Sequence, residues 1–245
     1  MDLAGKVAIV TGGGVRVGKA FTEALAAAGC HILLHYGRSA APAQQLKQTL
    51  EAQHNVTIQL HQANLANADE VATLLPAALQ PIRRADILIN NAAIFPEGDS
   101  FESLSLDMWD DLMNINLRAP LLLARDFAAA LPANGHGKII NILDNRTRHP
   151  RGDYFTYRLT KGALWQATEM MAWELGPRLT VNGIAIGIAL PPPDQSVAEF
   201  EPKVADSIPL RKIGRAENVT TAALHLLRDD FLTGVILPVD GGQFL

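Results

Sequence analysis

Lys6-Val7-Ala8-Ile9-Val10-Thr11-Gly12-Gly13-Gly14-Val15-Arg16-Val17-Gly18 is the stretch of sequence that decides the fold of this chain. Its first five residues predict a buried strand, and the glycines after them predict a tight turn. An Ala-rich helix over Phe21 to Ala28 and a second strand over His31 to His35 are predicted next. In such a βαβ unit, glycines let the backbone approach a pyrophosphate at the helix N-terminus. We therefore predict that this unit binds a dinucleotide.

The end of the second strand indicates which dinucleotide is bound. A site that prefers NAD has Asp or Glu about 20 residues after the turn, where it binds the ribose 2′-hydroxyl. This chain has no carboxylate between Glu23 and Glu51, and His35 is followed shortly by Arg38 and Ser39. A guanidinium and a hydroxyl suit a 2′-phosphate instead. The predicted cofactor is NADPH.

The rest of the sequence alternates short apolar strands with helices. Strands are predicted at 57–61, 85–90, 138–143, 179–184 and 234–239, and helices at 69–79, 107–131, 154–175 and 217–227. Seven apolar strands with crossover helices predict an α/β fold, a Rossmann-type doubly wound parallel sheet in a single domain over 1–245. One irregular stretch, roughly Leu190 to Ala216, contains five prolines and is too long for a plain connection. We interpret it as a lid over the substrate, with a passive surface loop as the alternative.

Composition limits the classes of partner. The chain has 245 residues, 48% of them hydrophobic and 19% charged, and its net charge of −4 argues against nucleic acid or an anionic membrane as the partner. Its apolar stretches are broken before about 20 residues, so no membrane span is predicted. The single cysteine, Cys30, excludes an intrachain disulfide framework and fits a reducing, cytoplasmic location. The seven histidines show no metal-ligand spacing, so no metal is predicted.

Four motifs follow one another along the chain. They are Thr11-Gly12 with Gly18, Asn90-Asn91-Ala92-Ala93, Tyr157-x-x-x-Lys161 and Val239-Asp240-Gly241-Gly242. Each is weak alone, but in this order and on these predicted elements they resemble the short-chain dehydrogenase/reductase family over essentially the whole chain. The resemblance implies an oxidoreductase that acts on a small-molecule substrate. It also implies a homotetramer built on the two long helices.

The resemblance implies a set of cofactor-binding residues, some of which depart from the family pattern. They are Thr11, Gly12, Arg16, Val17, Gly18, His35, Tyr36, Arg38, Ser39, Asn64, Leu65, Asn91, Ala92, Lys161, Gly187 and Ile188. Asn64 replaces the usual aspartate near the adenine, and its amide oxygen can still accept the adenine amine. Ile186 replaces the usual proline before Gly187, which leaves the nicotinamide contacts and the lid geometry open.

Tyr157 and Lys161 are four residues apart on one predicted helix, so their side chains share a face. A phenol has a pKa of about 10, and a nearby ammonium favours the phenolate. We therefore expect Lys161 to lower the pKa of Tyr157 and, by the resemblance, to reach the nicotinamide ribose. Asn116 matches the family asparagine that opens its helix to hold a proton-relay water.

Asp144 stands thirteen residues before Tyr157, where the family normally has a serine that polarises the substrate carbonyl. An ionised carboxylate has no proton to donate and repels a developing alkoxide, which disfavours simple ketone reduction. A carboxylic acid beside a phenol suits proton delivery to a ring nitrogen, directly or through water. Asp144, Tyr157, Lys161 and Asn116 are the predicted catalytic residues.

This substitution is similar to the pteridine reductase branch of the family, and other residues agree with it. Arg16 stands where the family's middle glycine would be, and His35-Tyr36-x-Arg38-Ser39 is similar to the phosphate-binding segment of that branch. Phe95 matches an aromatic residue that stacks a flat pterin against the nicotinamide, and Tyr154 matches a further pocket tyrosine. The substrate residues so implied are Arg16, Phe95, Asp144, Tyr154 and Tyr157.

Three hypotheses follow. The first is an NADPH-dependent reductase of dihydropterins or related folates. The second is an NADPH-dependent reductase of another carbonyl or imine substrate, such as a 3-oxoacyl thioester. The third is a non-catalytic NADP(H)-binding sensor, against which the presence of Tyr157, Lys161 and Asn116 together counts, because a binding module needs none of that chemistry.

Overall fold

A parallel sheet forms the centre of the molecule, as predicted. The structure, a computed structural model, describes residues 1–82, 84–243 and 245. Within these residues the sheet has seven strands in the order β3-β2-β1-β4-β5-β6-β7, and each neighbouring pair is parallel. The strands are β1 Val7–Val10, β2 His31–Tyr36, β3 Ile58–Gln62, β4 Ile87–Asn90, β5 Gly137–Asp144, β6 Leu179–Ile186 and β7 Ile236–Val239.

Helices form the crossover connections between the parallel strands. They are α1 Arg16–Ala27, α2 Ala40–Gln53, α3 Ala68–Val71, α4 Leu74–Ile82, α5 Leu106–Met113, α6 Ala119–Ala130, α7 Phe155–Leu175, α8 Val197–Val204 and α9 Ala216–Arg228. A π-helical turn, Asn114–Arg118, joins α5 to α6, and 3₁₀ turns occupy Asn145–Arg148 and Ala205–Ser207.

Both faces of the sheet are buried, which explains why its strands are apolar throughout rather than alternating. Val10 packs in a core that includes Leu25 of α1 and Leu226 of α9. The preceding residue, Ile9, points to the opposite face and packs in a second core with Phe127 of α6. Each such buried side chain contributes about 1.5–3 kcal/mol of hydrophobic stabilisation. The result is a three-layer helix–sheet–helix domain.

Three local features differ from the sequence expectations. Helix α2 was not predicted, although its buried residues Ala43, Leu46 and Leu50 have helical spacing. Helix α8 lies within the stretch expected to be irregular, where Ser196 and Glu199 form a reciprocal cap at its N-terminus. The helix expected over 107–131 is interrupted by the π-helical turn.

The order of the strands places the site. The chain runs outward from β1 through β2 to β3 and then returns to place β4 on the other side of β1. The connections leave in opposite directions at this point, so a crevice opens at the carboxyl ends of β1 and β4. No described helix is long and apolar enough to cross a membrane.

Candidate active site

The glycine-rich turn after β1 packs tightly against both α1 and the end of β4. A Cβ atom at Gly18 would lie 2.0 Å from the carbonyl oxygen of Gly12, so this close approach requires glycine. The Thr11 hydroxyl oxygen accepts the backbone N–H groups of Asn91 at 2.9 Å and Ala92 at 3.0 Å. The Asn91 amide in turn donates to the Thr11 carbonyl at 2.8 Å. The turn and the strand end are therefore held as one rigid unit.

His35 also shapes the turn. Its Nδ1 accepts the backbone N–H of Gly12 at 3.1 Å, and its Nε2 lies 3.0 Å from the carbonyl oxygen of Ala63. Only the neutral tautomer with hydrogen on Nε2 satisfies both contacts. Burial lowers the pKa of His35 and so favours this neutral form. His35 lines the cleft described below, but its ring nitrogens are engaged with the protein backbone.

A cleft of about 1070 Å³ opens along the carboxyl ends of the central strands. Residues predicted to bind the cofactor line much of it, together with Phe95; they are Gly12, His35, Arg38, Asn64, Leu65 and Ala92. Asn64 keeps its loop in shape, because its Oδ1 accepts the Ala66 N–H at 3.0 Å. The cleft thus collects predicted residues from four separate connections of the fold.

One end of this cleft suits a phosphate. Arg38 lines it, and within the described part of the chain its guanidinium makes no hydrogen bond or ion pair. Ser39 is the N-cap of α2, and its hydroxyl makes no capping hydrogen bond. An unengaged guanidinium beside an unengaged hydroxyl at a helix N-terminus can bind a dianionic group. The residues present therefore fit the 2′-phosphate of NADPH.

Several predicted cofactor residues lie elsewhere. Val17 and Tyr36 are partly buried and pack against the apolar core. Gly187 contacts Asp240, where an added Cβ would come within 2.6 Å, and the Ile188 N–H donates to the Gln243 side chain at 3.3 Å. Ile186, at the position of the family's proline, is the last residue of β6 and pairs with Val239 of β7.

Arg16 is directed towards the stretch that was predicted to be a lid. Its guanidinium donates to the carbonyl oxygen of Pro191 at 3.0 Å. Its backbone has φ of +51°, a left-handed conformation that costs energy for a residue other than glycine. Arg16 therefore ties the turn to the proline-rich segment rather than lining the cleft of about 1070 Å³.

Asp144 and Tyr157 meet as their sequence positions suggested. Asp144 is the last residue of β5, and Tyr157 lies in the first turn of α7. The Tyr157 hydroxyl donates to Asp144 Oδ2 at 3.1 Å. Arg146 holds the same carboxylate twice, through its backbone N–H at 2.8 Å and its Nε at 3.2 Å. The carboxylate is therefore oriented towards the phenol by three contacts.

The expectation that Lys161 lowers the pKa of Tyr157 is wrong for this arrangement. Burial, and secondarily the charge of Asp144, raises the pKa of Tyr157 well above its usual range. The Lys161 ammonium donates to the carbonyl oxygen of Ile142 at 2.8 Å and lies 6.0 Å from the Tyr157 ring centroid. Burial also lowers the pKa of Lys161 to about 8. The phenol is consequently protonated at neutral pH.

Asn116 lies in the π-helical turn, so the predicted opening of the helix is present. Its buried side chain pairs with the backbone of Ile94 in both directions. Oδ1 accepts the Ile94 N–H at 2.8 Å, and Nδ2 donates to the Ile94 carbonyl at 2.9 Å. This pairing fixes the segment that immediately precedes Phe95.

Phe95 stands where the cofactor cleft meets the Asp144–Tyr157 pair. Its ring stacks on Tyr154 with centroids 4.0 Å apart and meets Tyr157 edge-on at 4.7 Å. The Arg146 guanidinium lies 5.1 Å from the Phe95 centroid. Tyr154 is the residue before α7 and has a left-handed φ of +53°. Phe95 nevertheless remains 45% exposed, so part of this aromatic group faces solvent.

Sequence reasoning missed Asp99. This carboxylate is 4% exposed and caps α7 from a distant loop, accepting the N–H groups of Thr156 at 3.0 Å and Tyr157 at 2.8 Å. A cap is normally recognised as a polar residue directly before its helix, and Tyr154 occupies that position here. No local signal in the sequence connects Asp99 to the helix that it caps.

Comparison with known proteins agrees with this geometry. A family model described as enoyl-(acyl carrier protein) reductase matches residues 14–243. L-xylulose reductase of Mesocricetus auratus is 33% identical over 99% of this chain and 98% of its own length. Pteridine reductase 1 of Leishmania tarentolae is 32% identical over 98% of this chain and 96% of its own. A crystal structure of FolM alternative dihydrofolate reductase 1 from Brucella canis, complexed with NADP, has a TM-score of 0.92 at 32% identity and covers 99% of this chain and 95% of that one.

Proposed function

Because the chain belongs to the short-chain dehydrogenase/reductase family, we propose that it reduces a carbon–nitrogen double bond of a pterin-like substrate, a dihydropterin or a folate. Its cofactor is NADPH, in agreement with the NADP or NADPH in three similar structures and with the free Arg38 and Ser39 at the end of the cleft. The protein is an NADP-dependent oxidoreductase of a small molecule. The pterin is our more specific assignment.

The contact between Tyr157 and Asp144 is the observation that carries this assignment. Reduction of a carbon–nitrogen double bond requires a hydride at carbon and a proton at nitrogen. NADPH, when bound, supplies the hydride. The Tyr157 hydroxyl donates to Asp144 at 3.1 Å, so the two groups form one hydrogen-bonded path for protons. Asp144 delivers a proton to the ring nitrogen, directly or through water, and recovers it from solvent.

Phe95 and Asn116 position the substrate in this proposal. In this proposal the exposed part of the Phe95 side chain contacts a flat heterocycle, and Arg146 connects that surface to Asp144. Asn116 holds that surface in place through the backbone of Ile94. The segment from 190 to 216, tied to the turn through Arg16 and Pro191, acts as the lid over the bound substrate.

Reduction of a carbonyl is the second candidate. Tyr157 and Lys161 suit a carbonyl substrate equally well, and the L-xylulose reductase relative has 33% identity. Asp144 argues against it, because it occupies the position at which carbonyl reductases of the family have the serine that polarises the carbonyl. We therefore rank it below the pterin.

We also propose that the protein is a homotetramer that uses α7 as an interface. Leu159, Met170 and Trp173 are exposed and lie on one face of this helix. Burial of Trp173, which is 92% exposed in the isolated chain, would remove a large apolar surface from water.

The substrate assignment is tested by exchanging Asp144 for the serine of carbonyl reductases. We expect the parent protein to oxidise NADPH with dihydropterins and dihydrofolate, and Asp144→Ser to lose this activity while keeping or gaining activity on simple ketones. Tyr157→Phe is the control, because it should abolish both activities and leave NADPH binding intact. If Asp144→Ser instead lost ketone reduction and kept pterin reduction, Asp144 would serve carbonyl reduction and the substrate assignment would be wrong.

A further inference from the structure

A smaller cleft, which shares no lining residue with the cofactor cleft, is lined by Arg146, the residue paired with Asp144. It has a volume of about 580 Å³ and is lined by the 3₁₀ turn after β5, the start of α7, the lid and the end of the chain. Its described lining residues are Arg146, His149, Pro150, Arg151, Asp153, Arg158, Ser207, Gln243 and Leu245. We call it the arginine cleft.

The side chains of this cleft carry excess positive charge, although the chain as a whole has a net charge of −4. Arg158 donates to the Asp153 carboxylate at 2.8 Å and to the carbonyl oxygens of Arg146 and His149, so it holds the wall of the cleft together. Arg151 is exposed, and among the described residues its guanidinium has no hydrogen bond or ion pair. Arg151 is therefore available to a ligand.

Arg146 connects the arginine cleft to the reacting groups. It lines the cleft, and its Nε lies 3.2 Å from Asp144 Oδ2. The same guanidinium lies 5.1 Å from the centre of the Phe95 ring. A flat ring held against Phe95, with a nitrogen at Asp144, can therefore extend a substituent past Arg146 towards Arg151.

We propose that the arginine cleft binds a carboxylate at the far end of the substrate, so that the preferred pterin carries an anionic tail, as the glutamate of dihydrofolate does. This inference rests on the proposed function. The planar guanidinium matches a carboxylate with two parallel hydrogen bonds, and Arg151 has those donors free. Arg146 is paired with Asp144 and Arg158 with Asp153, so a neutral pterin side chain would leave the charge of Arg151 unpaired.

Arg151→Gln tests the proposal. The probes are dihydrofolate, which has two tail carboxylates, and dihydrobiopterin, which has a neutral side chain. We expect the KM for dihydrofolate to rise about two- to fivefold, the scale of a solvent-exposed ion pair, with no change for dihydrobiopterin. Added NaCl should raise the KM for dihydrofolate in the parent protein and have less effect in the variant.

Arg148→Gln is the matched control. Arg148 is the last residue of the 3₁₀ turn, three positions before Arg151, and its substitution removes the same charge. Its guanidinium lies over Trp165, 5.8 Å from the ring centroid, and does not line the arginine cleft. It should leave both KM values unchanged. Equal effects on the two pterins, equal effects of the two arginine variants, or no effect of Arg151→Gln would overturn the inference. If the parent reduced neither pterin, the proposed function itself would be wrong.

Discussion

At the scale of single residues, the pairing of Asp144 with Tyr157 was predicted from the family resemblance, which places the residue thirteen positions before the tyrosine in the same site. The structure has Asp144 at the end of β5 and Tyr157 in the first turn of α7, in hydrogen-bond contact. The direction of the Tyr157 pKa shift was not predictable. It depends first on burial of the phenol and then on the charge of Asp144, and the spacing of the Tyr-x-x-x-Lys motif shows neither.

We expect deprotonation of Lys161 to cause a fall in kcat/KM at alkaline pH. Its pKa of about 8 means that it carries its charge below that pH and loses it as the pH rises. In our proposal Lys161 contacts the nicotinamide ribose, so the free enzyme would lose a cation from this site and kcat/KM for NADPH should fall up to tenfold per pH unit above about 8. The measurement is kcat/KM from pH 6 to 9.5. Arginine keeps its charge over this range, so the Lys161→Arg variant should be less active but should show no fall in kcat/KM above pH 8. If the variant shows the same fall, a group other than Lys161 causes it.

Arg38 should determine the preference for NADPH over NADH. We expect the parent protein to prefer NADPH at least tenfold, because a charge-assisted contact with the 2′-phosphate is worth about 1.5–3 kcal/mol. Arg38→Ala should raise the KM for NADPH about tenfold or more and leave the KM for NADH almost unchanged. Arg125→Ala, which removes an exposed arginine paired with Asp126, is the control and should change neither. Equal use of both cofactors by the parent would contradict the assignment.

At the scale of helices and strands, the periodic spacing of apolar residues predicted the elements that bury an apolar face. It did not predict elements that are stabilised by other means. Helix α2 has a single narrow stripe of small and medium apolar residues among glutamines, a pattern too weak to predict a helix alone. Helix α8 buries no residue and depends on the cap formed by Ser196 and Glu199. The π-helical turn is fixed by Asn116 bonding to a distant backbone, which no local pattern encodes.

Asp99 should couple the stability of α7 to the position of the reacting phenol. Asp99→Ala removes both capping contacts at Thr156 and Tyr157 and should lower the free energy of unfolding by about 1–2 kcal/mol. Because Tyr157 is itself one of the capped residues, kcat should fall at least tenfold while the KM for NADPH changes little. Urea unfolding and steady-state kinetics measure the two effects.

Ser105→Ala provides the comparison for a purely structural cap. The Ser105 hydroxyl accepts the Met108 N–H at 3.2 Å at the start of α5, away from the phenol. This variant should lose a similar amount of stability and keep its kcat. If both variants lost kcat alike, Asp99 would act through general stability alone.

At the scale of the whole molecule, the layer architecture was predicted correctly from the sequence, and so was the edge of the sheet at which the candidate cleft opens. Strands apolar on both faces require helices on both faces, and the glycine-rich turn after the first strand marks where the cofactor crevice lies. The contacts between distant segments could not be predicted from the sequence. They are those of Arg16 with Pro191, Asp99 with α7, and Asn145 with Asp240. Each contact joins residues more than 50 positions apart through a single side chain, so no repeating pattern in the sequence predicts it.

His35 is another such long-range link, and it should make the stability of the entire fold depend on pH. Its imidazole joins the turn after β1 to the segment after β3, and burial lowers its pKa in the folded state. The unfolded chain takes up a proton on this residue as the pH falls through about 6.5, whereas the folded chain resists it. The free energy of unfolding should therefore decrease as the pH falls below about 6.5, by up to about 1.4 kcal/mol per pH unit from this group.

The contribution of His35 can be isolated by urea unfolding of His35→Gln between pH 7.5 and 5. Glutamine retains one acceptor for Gly12 and one donor for Ala63 but has no proton to gain, so the variant should be less stable at pH 7.5 and should lose less stability on acidification. His225→Gln replaces an exposed histidine on α9 and should keep the slope of the parent. Parallel curves for the parent and His35→Gln would mean that the folded protein accommodates a charged imidazole at this position, and that the turn can release His35 without global unfolding.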